Sequence, residues 1–69
     1  MIRPYINITT DSGESRTVYP PLQWNEITSQ RKMLTDCKVW LHSKHPTWET
    51  ATINLRHHNY VETIDVKRR

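Results

Sequence analysis

The chain has one glycine, one cysteine and no phenylalanine. Small all-β barrels draw on several glycines for tight turns and bulges, so a single glycine argues against that class. One cysteine closes no intramolecular disulfide, and the staple common in tiny secreted domains is missing. No apolar run reaches the length of a signal peptide or of a membrane span, which needs about 20 apolar residues. We therefore expect a soluble, cytoplasmic protein with no membrane role. The Asn7-Ile8-Thr9 glycosylation pattern carries no weight without a secretory signal. Hydrophobic residues are 35% of 69, and mean hydropathy is −0.82. A core this thin is near the lower limit for an unaided fold, which excludes a two-domain enzyme and a deep, lidded cofactor cleft.

Three Trp, three Tyr and a formal charge of +3 are what the chain does have. Trp and Tyr join an apolar body to a polar tip and suit half-buried positions and interfaces. Along the chain, Tyr5 to Thr10 alternates, with Ile6 and Ile8 on one side, and reads as a strand. A polar turn from Asp11 to Ser15 holds the glycine, and Arg16 to Tyr19 reads as a second strand with Val18 inward. Pro20-Pro21 ends that hairpin.

Leu22 to about His42 reads as a helix. At 100° steps Leu22, Ile27, Met33, Leu34, Cys37, Trp40 and Leu41 fall within about 140° of one another. Pro21 suits a first helical position, although Thr28-Ser29 offers a later start and Cys37 to Leu41 also has strand character. Ser43 to Trp48 reads as a loop. Glu49 to Arg56 and Tyr60 to Lys67 alternate on either side of a His57-His58-Asn59 turn. Ala51, Ile53 and Leu55 line one side of the first, and Tyr60, Ile64 and Val66 one side of the second. The predicted fold is a single α+β domain over residues 1–69, a ββαββ chain with one helix packed on an antiparallel sheet of about four strands. Residues 67–69 form a short basic tail. Asn7, Thr9, Thr17, Thr52, Asn54, Arg56, Thr63 and Asp65 then fall on the sheet face away from the helix, a solvated surface or a docking one.

Several constellations bear on chemistry. Cys37, His42, His45, His57 and His58 are zinc-ligand types, but structural zinc sites usually carry a closely spaced cysteine pair, and the simpler reading is loop histidines beside a core cysteine. We expect no metal and no cofactor. Arg56-His57-His58-Asn59-Tyr60 with Glu62 supplies the residue types of a small ribonuclease, and a ribonuclease-type toxin centred on the His57/His58 hairpin is the second alternative function. Histidine and asparagine are also ordinary turn residues, and alternation sends Arg56 and Tyr60 to opposite faces. Tyr19-Pro20-Pro21-Leu22 with Trp24 has the composition of a proline-rich ligand, or of a rigid corner.

The reading these residues favour is a small non-enzymatic binding protein. It would dock on a larger partner protein, for example a transcription regulator or another nucleic-acid-associated factor, and inhibit or modulate it. Trp48, Tyr19, Trp24 and Arg56 are the expected contacts, with Arg31 and Lys32 meeting an acidic patch, because Trp, Tyr and Arg dominate interface hot spots. Trp48 equally suits a cap over the open end of a thin core. The alternative is direct nucleic-acid binding through Lys67, Arg68, Arg69 and Arg16, with Tyr5, Tyr19, Trp24 and Trp48 to stack bases. A homodimer through an exposed sheet edge is also open. No motif matches a family signature.

Overall fold

A computed structural model describes residues 1–68; Arg69, the last residue of the expected tail, lies outside the described residues. The elements are β1 (Arg3–Thr10), β2 (Ser15–Val18), α1 (Gln30–Lys44), β3 (Trp48–Arg56) and β4 (Val61–Lys67). They form the expected small α+β domain. The four strands make one antiparallel sheet in the order β2-β1-β3-β4. The helical crossover carries the chain from the β2 edge over to the far side of β1, so the first and third strands are the central pair.

Gly13 sits at the tip of the β1–β2 turn with φ +88°, a backbone conformation in which a Cβ is strained. The Thr10 N–H donates to the Glu14 carbonyl at 2.8 Å and the Gly13 N–H donates to the Thr10 carbonyl at 3.0 Å, which closes the turn. The core gathers Ile6 and Ile8 of β1, Ala51, Ile53 and Leu55 of β3, and Met33, Cys37 and Leu41 of α1, with Ile2, Trp24 and Trp48 around them. Met33, Cys37 and Leu41 recur every four residues and give α1 a narrow buried stripe.

The helix begins at Gln30, not Leu22. Ser29 is its N-cap, with its hydroxyl accepting from the Lys32 N–H at 3.2 Å. The preceding segment is held extended because Trp24 and Ile2 exchange two backbone hydrogen bonds, 2.7 and 2.9 Å. Ile27, expected on the apolar stripe, is 91% exposed as a result. Cys37 to Leu41 is helical. Cys37 and Leu41 share the core face one turn apart, while Val39, which a strand would place beside them, is exposed.

Strand boundaries also differ. β1 begins at Arg3, Tyr19 lies just beyond β2, and Trp48, expected in a loop, opens β3. Tyr60, expected inward on the last strand, precedes β4 and is exposed, stacked on His57 with ring centroids 4.2 Å apart. No helix among the described residues is long and apolar enough to cross a membrane.

Candidate functional site

The helix covers one face of the sheet and leaves the other open. Strand register arranges the open face in rows. Ser15, Thr9, Thr50 and Lys67 form one row, and Thr17, Asn7, Thr52 and Asp65 the next. Tyr5, Asn54 and Thr63 follow, and Arg3, Arg56 and Val61 come last. The Thr and Asn rows are tied within themselves. Thr17 donates to Asn7 and Thr52 donates to Asp65, both at 2.8 Å, while Asn54 donates to the Tyr5 carbonyl and accepts from Thr63. These polar groups are largely satisfied by one another, which makes a solvated sheet surface rather than a reactive one. A shallow concavity of about 580 Å³ lies over the first two rows.

The last two rows differ. The Arg56 guanidinium carbon lies 5.6 Å from the Tyr5 ring centroid, within cation–π range, and the Tyr5 and Tyr19 rings are 6.2 Å apart at 31°. Tyr19 is 69% exposed, and Arg3 and Arg56 are exposed as well. A second groove, about 360 Å³, is bounded by Arg3, Tyr19 and Arg56 on one side and by the Pro20-Pro21-Leu22 corner on the other. Two residues expected as contacts, Tyr19 and Arg56, are thus brought together. Arg3 and Tyr5, which were not among the expected protein contacts, complete the cluster, although Tyr5 was grouped with Tyr19 as a base-stacking residue in the nucleic-acid alternative. The signal that unites them is strand parity, readable only once β1 is known to pair with β3.

The other expected contacts lie elsewhere. Trp48 is wholly buried and packs at 5.5 Å from the His42 ring, so it caps the core and offers no ring to a partner. Trp24 is 8% exposed, and its indole N–H donates to Asp36 at 2.9 Å. That bond, reinforced by the Lys32 ammonium 3.0 Å away, holds the Asp36 carboxyl below its ordinary value. Lys32 is therefore engaged with Asp36, and Arg31 is exposed on the helix, away from the open sheet face.

Of the described basic residues of the nucleic-acid alternative, Arg16 and Lys67 border the concavity over the first two rows, at the other end of the open face from Arg3 and Arg56. Arg16 pairs with Glu14 at 2.7 Å. Arg68 donates from its guanidinium to the Pro46 and Trp48 carbonyls, and its backbone N–H donates to the Glu49 carbonyl at 2.9 Å. Lys67 ends the Thr row.

The histidine hairpin is divided between the faces. His57 Nε2 is 3.3 Å from the Glu62 carboxylate, which also accepts from Gln30 on the helix, whereas Arg56 belongs to the open face. Cys37 is buried in the core, and desolvation first, then nearby Asp36, pushes its thiol up to about 12. Among the described residues no three His, Cys, Asp or Glu side chains converge as a metal site would require. No family model, no curated protein and no solved structure matches the chain.

Proposed function

We propose that this chain is a non-enzymatic binding protein that docks on a partner protein through the Arg3, Tyr5, Tyr19 and Arg56 end of its open sheet face, and that occupying the partner's surface is how it modulates that partner. The observation that carries the reading is the cluster itself: two exposed arginines and two tyrosines on one rigid antiparallel surface, the residue types in which interface energy concentrates. An ordinary interface of about 800 Å² per partner would occupy roughly a sixth of the 4710 Å² accessible surface. Of the described residues of the nucleic-acid alternative, Arg16 and Arg68 are engaged within the fold, which leaves Lys67.

Affinity capture from host lysate, with and without nuclease, tests the reading. We expect a protein retained after nuclease at near-equal stoichiometry, and lost when Tyr19→Ala or Arg56→Ala is used as bait. Capture that disappears with nuclease, or that survives both substitutions unchanged, overturns it.

A further inference from the structure

The partner's chemistry can be read from the same site, and this inference rests on the docking reading above. Arg3 and Arg56 are direct cross-strand partners on the open face. Neither forms an ion pair among the described residues, whereas Arg16 and Lys32 each have an acidic partner. Like charges held directly opposite each other on a sheet destabilise the pairing, and an anion between them relieves the repulsion. Tyr5 under the Arg56 guanidinium limits that group's freedom before any ligand arrives. Beside the arginines the groove wall turns apolar, with Tyr19, Pro20, Pro21 and Leu22.

We infer that this groove receives an acidic segment of the partner protein, whose carboxylates bridge Arg3 and Arg56 while a neighbouring apolar side chain lies against Tyr19 and the proline corner. Guanidinium groups hold carboxylates through two parallel hydrogen bonds, which suits a short acidic stretch. Protein carboxylates fit better than a nucleic-acid backbone. The patch offers two unpaired cations, and the next rows are Thr and Asn with the carboxylate of Asp65, so a further cation, Lys67, comes only in the farthest row, where a strand-tracking groove needs a continued run of them.

Fluorescence anisotropy on the full chain tests this, with a labelled peptide of Glu, Asp and Leu as the probe and labelled oligo(dT) of matched length as the comparator. The peptide should bind saturably and be weakened by salt. Arg3→Ala and Arg56→Ala should each weaken it by about tenfold or more with unchanged circular dichroism, and Arg56→Lys should recover part of the loss. Equal binding by the wild type and the double alanine variant overturns the inference, as does failure of both probes to bind. Oligonucleotide binding that needs both arginines, without peptide binding, reassigns the site to nucleic acid and overturns it too. The docking reading is scored separately. Nuclease-resistant capture that is lost in Tyr19→Ala but kept in the double arginine variant leaves docking standing and removes the acidic contact.

Discussion

Arg3 and Arg56 face each other across the two central strands, and no carboxylate pairs with either among the described residues. Reversing one charge turns repulsion into a cross-strand ion pair. Arg3→Glu should therefore raise the unfolding free energy by ~0.2–1 kcal/mol at low salt, with the gain shrinking as salt is added. Urea unfolding at two ionic strengths reads this directly. The same variant should lose partner capture, so that stability and binding move in opposite directions.

Trp48 sets a second expectation. Its ring is wholly buried, but its indole N–H has no hydrogen-bond partner among the described residues. Trp48→Ala should remove ~3–5 kcal/mol, comparable to the whole stability of a domain this size, and leave the chain largely unfolded at room temperature. Trp48→Phe should cost much less, about 1–2 kcal/mol, because it keeps an aromatic ring in the core, while both substitutions remove the unsatisfied donor. Chemical denaturation followed by circular dichroism separates the two variants. Equal losses would mean that the smaller ring finds no packing in the space Trp48 fills.

The inward turn of Trp48 marks where strand periodicity stops being readable in the sequence. Ala51, Ile53 and Leu55 alternate inward as expected, and simple alternation would send Trp48 outward. The register shifts between Thr9, opposite Thr50, and Thr10, opposite Trp48, so a bulge at Glu49 rotates Trp48 into the core. Nothing in Trp48-Glu49-Thr50 announces that extra residue. The helix start is a similar case. Leu22 and Ile27 fit a 3.6-residue stripe, but the Trp24 backbone finds partners on Ile2, more than twenty positions away, and Ser29 supplies the cap. The four strands, the helix's Met33-Cys37-Leu41 stripe and the polar open face were legible because each depends on local period alone. The Arg3–Tyr5–Tyr19–Arg56 cluster was not legible as a unit, because it needs the order β2-β1-β3, which a list of strands leaves undetermined.

Asp36 ties the helix to the Trp24 segment, and its carboxyl titrates below the ordinary value because the Trp24 N–H and then Lys32 favour the charged form. A carboxyl lowered in the folded state stabilises the fold above its unfolded pKa, and that stabilisation is lost as pH falls through the folded value. Asp36→Asn should cost about 1 kcal/mol near neutral pH and show a shallower loss of stability below about pH 4 than the wild type. Urea midpoints across that range test the slope. Trp24→Phe should reproduce the effect, and the two substitutions should be less than additive.

Cys37 is fully buried, and its thiol is pushed up to about 12. Thiolate is the reactive form, so a disulfide reagent such as DTNB should leave the folded protein unmodified at neutral pH and react as urea unfolds it. The dependence of labelling rate on urea should follow the circular dichroism transition. Rapid labelling without denaturant would mean that the helix lifts from the sheet far below the global unfolding free energy.

The sheet order has a consequence for biosynthesis. β1 is central, yet its neighbour β3 follows it only after β2 and the whole of α1, with Tyr5 opposite Asn54. A nascent chain can close the β1–β2 hairpin early, but Ile6 and Ile8 stay uncovered until α1 and β3 have left the ribosome. Pairing of the two central strands is therefore governed by a long loop closure, and a chain stalled before β3 presents an unprotected apolar strand to chaperones and proteases.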